Sequence, residues 1–145
     1  MAEALKERIR ADLNAARRER DRLRTLVLTT TLSDIRNREI ELGHELSDAE
    51  TVEVLSRAIK RRQEAAEQMR AGKRDELAEK EEKEAALLAA YLPPPLGEAE
   101  VRAMVREAIQ AGATSIGDVM GRIMPQIKGR FDGKEANRIV REELG

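Results

Sequence analysis

An all-α fold is what this sequence predicts, on three observations. Apolar residues make up 41% of its 145 positions, yet the aromatic share is one Phe, one Tyr and no Trp, so a core must come from Leu, Ile, Val, Ala and Met. That set suits helix-on-helix packing. The apolar residues recur at three- and four-residue spacings, and few runs alternate apolar with polar as a half-buried strand would. Glycines and Ser or Asp caps then punctuate the chain at helix-length intervals. A chain of this length holds one ordinary domain or two small ones. Leu92-Pro93-Pro94-Pro95-Leu96-Gly97 divides it, because consecutive prolines lack amide donors and cannot continue a helix. The expectation is an N-terminal helical domain of about four helices over 1–92, a Pro-rich linker over 93–97, and a small three-helix domain over 98–145.

The first helix carries the stripe Leu5, Ile9, Leu13 and Ala16. A second runs from near Asp21 to Leu42 on Leu23, Leu26, Val27, Thr30 and Ile35, and Gly43 ends it as a C-terminal cap. Pattern alone leaves open whether Arg17–Arg24 separates these two helices. Ser47-Asp48-Ala49-Glu50 is a capping box, Ser47 taking an orphan amide while Glu50 reaches back. It opens a third helix with the seam Val52, Leu55, Ile59, Ala66 and Met69, closed at Gly72. A fourth spans about Lys73 to Tyr91 with Leu77, Leu88 and Leu92 inward and a Glu-rich, mostly solvated middle. After the prolines, Glu98–Ala111 presents Val101, Met104, Val105, Ala108 and Ile109 and ends at Gly112. Ser115 caps a sixth helix with Ile116, Val119, Met120, Ile123, Met124 and Ile127 on one face. Asp132 with Glu135 forms a possible second capping box, opening a last helix on Ile139, Val140 and Leu144.

A net charge of −1 draws the whole chain toward neither nucleic acid nor membrane, but the charge is blocked. Lys6–Arg38 holds ten bases and five acids, while Glu39–Glu53 holds six acids and no Lys or Arg. Ala113–Arg141 holds six bases and three acids, so both ends lean positive. Cysteine is absent, which excludes disulfides and thiolate metal sites. The N-terminal residues lack the apolar core of a secretory signal, and no run approaches the roughly 18 apolar residues of a membrane span. The expected setting is cytoplasmic, without a membrane partner.

No catalytic constellation is visible, and neither a cofactor nor a metal is expected. His44 is the single histidine, so a metal site lacks converging ligands. Glu81, Glu82 and Glu84 sit in a charged helical run and read as solvated surface or partners of Lys80 and Lys83. The densest chemistry lies between Asp118 and Lys134. Its Gly129-Arg130-Phe131-Asp132-Gly133-Lys134 is one residue short of a Walker loop, Glu135 replaces the magnesium-holding hydroxyl, and no strand precedes it. What remains is a Gly-rich turn feeding a helix N-terminus, with Lys128, Arg130 and Lys134 around it, a geometry suited to a backbone phosphate. The same residues also suit a plain tight turn with solvated bases. The cluster Arg17, Arg18, Arg20, Arg22 and Arg24 is interleaved with Glu19 and Asp21 and reads as a mixed-sign solvated face. The scarcity of aromatics argues against base stacking, so an RNA ligand would be recognised by folded shape and backbone.

Several segments in order carry a resemblance: Leu23-Arg24-Thr25-Leu26, Ala58-Ile59-Lys60-Arg61-Arg62, Gly72 to Glu81, Tyr91-Leu92-Pro93, Asp118-Val119-Met120-Gly121, Gly129-Arg130 and Asp132-Gly133-Lys134. On these the chain resembles the YqeY family, related to the C-terminal helical and tail regions of the GatB subunit of tRNA-dependent amidotransferases. Phe131, in place of a small residue, and Gly97, in place of a Ser-type cap, depart from that pattern. The resemblance implies two helical domains and contact with tRNA or a tRNA-handling enzyme. It does not carry over the glutamine-dependent carbon–nitrogen ligase reaction, since the phosphorylating portion of GatB and the partner glutaminase are missing; amidotransferase activity would need partner subunits. The expected function is a non-catalytic accessory module, with the nucleic-acid contact at Lys128, Gly129, Arg130, Lys134 and Arg138. The alternative is a helical protein–protein adaptor, docking through the acidic 39–53 segment or a Met104/Met120/Met124 surface.

Overall fold

The computed structural model describes residues 4–145 and is all-α over that range, with seven helices and no strand among the described residues. They are α1 (Leu5–Glu19), α2 (Arg22–Leu42), α3 (Asp48–Ala71), α4 (Asp75–Ala89), α5 (Glu98–Gln110), α6 (Ile116–Ile127) and α7 (Gly133–Leu144). Two compact units result, α1–α4 up to Leu92 and α5–α7 from Pro93.

In the first unit α1 and α2 are separate helices. Arg20 adopts a left-handed backbone (φ 58°, ψ 34°), the Asp21 amide donates to the Ala16 carbonyl, and the Asp21 carboxylate then caps α2 through the Arg24 amide. The capping box at α3 is formed in both directions: Ser47 Oγ accepts from the Glu50 amide, and Glu50 Oε1 accepts from the Ser47 amide. α3 and α4 make the most extensive helix pair. The small residues Ala58, Ala66, Ala78 and Ala85 are buried on these two helices, which lets the backbones approach. Ile9, Val27, Leu28, Ile35, Leu55 and Leu88 fill the remaining core.

Three sequence expectations are corrected in this unit. Leu26 is 55% exposed, and Thr30 is exposed as well, while Leu28 and Thr31 take the core positions. Thr31 can be buried because its hydroxyl donates to the Val27 carbonyl at 2.7 Å. Leu77 is 46% exposed, and Glu84, expected on a solvated face, is buried against Arg62. α4 starts at Asp75 because Lys73 is left-handed (φ 60°), and it stops at Ala89, where Tyr91 and Leu92 turn on tighter i→i−3 bonds.

In the second unit each of α5, α6 and α7 packs on the other two around Val101, Val105, Val119, Ile123, Ile127, Ala136, Ile139 and Val140. Leu96, beyond the prolines, is buried in this core, and its amide donates to the Arg130 carbonyl. The Ser115 cap forms as expected on the Asp118 amide. At α7 the Asp132 carboxylate accepts from the Lys134 amide, but Glu135 turns to Arg138 instead of closing a capping box.

Candidate nucleic-acid interface

The turn between α6 and α7 is built from the end of α6 outward. Pro125 sits in the last turn of α6, where its missing amide removes one intrahelical bond. Lys128 leaves helical geometry (ψ 125°), and Gly129 takes φ 76°, a region that costs glycine least. The chain then folds back, with the Arg130 and Phe131 amides both donating to the Ile127 carbonyl at 2.8 and 3.0 Å. Lys128 and Lys134 are exposed, and Arg130 is half-buried. The structure therefore brings Lys128, Gly129, Arg130 and Lys134 to a single turn.

Arg130 also has a structural task. Its Nε donates to the Pro94 carbonyl at 2.9 Å, and its own carbonyl accepts from the Leu96 amide at 2.8 Å. Side chain and main chain together fasten the proline segment onto the α6–α7 turn. Arg138 lies one helical turn further along α7, among carboxylates: Glu98 of α5, Glu135 at 3.1 Å and Glu142 at 2.7 Å. Those hydrogen bonds, with Glu98 first, push its guanidinium pKa further up. Arg102 continues the cluster, bonding Glu142 and Glu143; Arg102 and Arg138 hold the Glu142 carboxyl below its usual range, and Arg106 and Arg102 that of Glu143.

The carboxylates near these cations are partly local and partly brought in by packing, and of them only Asp132 and Glu135 entered the sequence reading, as a possible capping box. The α7 N-terminus already carries acidic neighbours, with Asp132 occupying the Lys134 amide and Glu135 in the first turn. An incoming anion is therefore met chiefly by side-chain cations, not by bare amides. Glu142 and Glu135 stand four and three residues from Arg138 and could have been read from spacing, whereas Glu98 is brought in only by α5–α7 packing.

Other candidates resolve as follows. His44 is exposed; its Nδ1 lies 2.8 Å from the Glu45 carbonyl oxygen and its Nε2 3.7 Å from Glu50. Met104, Met120 and Met124 are half-buried and pack against the second unit's core. In the acidic segment, Glu39 binds Lys6 and the Leu46 amide, and its pKa is lowered by them, while Glu50 serves the capping box. No helix among the described residues is long and apolar enough to cross a membrane.

Comparison with known proteins finds relatives over nearly the whole chain. A curated fungal relative, the "Altered inheritance of mitochondria protein 41, mitochondrial" of Pyrenophora tritici-repentis (strain Pt-1C-BFP), is 29% identical over 144 residues, covering 95% of this chain and 80% of that protein. Residues 6–144 match the family described as Yqey-like protein, a span that takes in all of α2–α7 and nearly all of α1, so the chain belongs to the YqeY-like family.

Proposed function

We propose that this protein is a non-catalytic accessory module that contacts tRNA, or a tRNA-handling enzyme, through the α6–α7 turn. The observation that carries the reading is the gathering of Lys128, Arg130 and Lys134 on one ordered turn held open by Gly129. Cations fixed on a short rigid turn suit the phosphate backbone of a folded RNA, which is recognised by shape. Membership of the YqeY-like family supports the link to translation through its likeness to the GatB tail. On this reading any carbon–nitrogen ligase activity with glutamine as donor belongs to an assembly with partner subunits. Arg138 contributes less than the other bases, since three carboxylates already surround it.

The experiment is binding of labelled bulk tRNA to the full chain as a function of salt. Reversing Lys128→Glu and Lys134→Glu together leaves the Arg130 fastening of Pro94 intact. The double variant is expected to lower the log–log salt slope by about 1.4–1.8, from roughly 0.7–0.9 per phosphate contact. An unchanged slope and affinity would remove this turn from the contact. The reading keeps the cytoplasmic setting expected from the sequence; the fungal relative is named as mitochondrial, and imaging of a tagged chain decides between the two.

A further inference from the structure

The α1–α2 elbow carries a second concentration of positive charge, which the sequence presented as neutralised. Glu19 and Asp21 are interleaved with Arg17, Arg18, Arg20, Arg22 and Arg24, but the fold directs both acids to Arg24 and leaves the other four arginines to themselves. Asp21 caps α2 through the Arg24 amide, and Glu19 reaches only Arg24, at 3.8 Å. Arg17, Arg18, Arg20 and Arg22 are exposed, and their side chains reach no carboxylate among the described residues.

Three of these arginines line one concavity of about 540 Å³, with Thr25, Leu26 and Thr29 and no acidic residue. Arg17 and Thr29 also line an adjoining cavity of about 310 Å³ along the α1–α2 groove, which adds Arg36, itself without a carboxylate partner. The one acid there, Glu39, is already bound by Lys6 at 2.9 Å. At the apex Arg20 holds a left-handed backbone that glycine adopts at less cost. A cation at the end of α1 suits that helix's dipole, which accounts for one of the charges but not for the group.

We propose that this groove is a binding site for the phosphate backbone of RNA, distinct from the α6–α7 turn. Its free cations are all arginines, whose planar guanidinium fork matches phosphate oxygens in pairs. Two adjoining concavities make an extended track, suited to successive phosphates and not to one small anion. Leu26 is the one exposed large apolar residue in the lining, so an amphipathic helix or a membrane finds a single anchor there. With no aromatic residue in the groove, bases are not stacked and recognition is by backbone and shape.

The test uses the full chain, labelled bulk tRNA and a quadruple variant, Arg17→Gln, Arg20→Gln, Arg22→Gln and Arg36→Gln. Loss of four contacts is expected to lower the salt slope by about 3 and the affinity near 150 mM salt by roughly a hundredfold. A control removes the same charge elsewhere in the unit, with Arg57→Gln, Lys60→Gln, Lys73→Gln and Arg74→Gln, and is expected to change binding less than threefold. Arg20→Gly alone relieves the left-handed backbone, so it should raise the melting temperature while lowering the slope by about one contact, a combination that misfolding cannot produce. Equal losses in the quadruple variant and its control would overturn the site, as would an unchanged slope in the quadruple variant. Stronger competition by phosphatidylglycerol vesicles than by unlabelled tRNA would overturn it in favour of a lipid surface. Wild-type chain that binds no tRNA would overturn both this site and the α6–α7 turn. Binding lost in the elbow variant and kept on reversal of Lys128 and Lys134 would leave the elbow standing alone.

Discussion

Glu84 offers the sharpest test of how the first unit is held together. Its Oε2 lies 3.2 Å from Arg62 Nε, and the two side chains are 10% and 14% exposed. Glu84→Ala leaves the Arg62 guanidinium buried with one long bond, from Nη1 to the Ala58 carbonyl at 3.4 Å. Breaking a fully buried pair costs about 3–5 kcal/mol, and residual solvent access at both groups lowers the expectation here to about 2–3 kcal/mol. Replacing both, as Glu84→Leu with Arg62→Met, removes the stranded charge and should cost less than about 1 kcal/mol. Urea denaturation followed by tyrosine fluorescence isolates this unit, because Tyr91 is the single tyrosine and there is no tryptophan. A loss below about 0.5 kcal/mol for Glu84→Ala would refute the claim that the pair is shielded from solvent. So would a double replacement that costs as much as the single one.

The other predictions concern the core, the contact of α1 with Tyr91 and the second unit's acid stability. Leu28→Ala should cost about 2–5 kcal/mol and Leu26→Ala under about 0.5 kcal/mol, since one is 1% and the other 55% exposed; equal losses would return α2 to the phase first read from the sequence. Tyr91→Phe should cost about 1 kcal/mol in urea denaturation followed by helical circular dichroism, since the variant has no tyrosine left to report, because the phenol donates to Asp12 Oδ2 beside Arg8 over its ring. Burial and that bond raise the Tyr91 pKa above its ordinary 10, so its contribution is whole below pH 10 and declines as pH rises beyond it. Tyr91→Phe should flatten this alkaline loss. Glu142 and Glu143 are shifted the other way, below 4.5, the first by Arg102 and Arg138 and the second by Arg106 and Arg102. Their stabilisation is present above pH 4.5 and fades as pH falls through the lowered values, so thermal melts of Glu142→Gln/Glu143→Gln should show a weaker dependence below pH 4.5 than wild type.

Much of the fold was legible because local signals and tertiary packing agree. Ser47 with Glu50, Ser115, Gly43 and the three prolines set element ends by backbone chemistry that needs no partner. The α1 stripe of Leu5, Ile9, Leu13 and Ala16 is unambiguous because charged and polar residues surround it. On α2 the stretch Leu26-Val27-Leu28 offers two apolar phases, and Thr31, polar by composition, is buried by satisfying its own hydroxyl. Glu84 looked solvated because its partner lies 22 residues away on another helix. The same blindness applied to the site. Spacing placed Lys128, Arg130 and Lys134 together, but the Pro94 carbonyl on Arg130 and Glu98 on Arg138 are long-range partners. At the elbow the reverse occurred, since acids adjacent in sequence to Arg18, Arg20 and Arg22 are turned away from them by a cap and a left-handed residue.

Contact with a folded RNA is best tested by a salt titration of labelled bulk tRNA binding, with duplex DNA of equal phosphate content as competitor. The expected result is affinity that persists near 150 mM salt and that DNA competes for poorly. Binding that vanishes at that salt, or that DNA competes for equally, would contradict it and favour a protein partner for this chain.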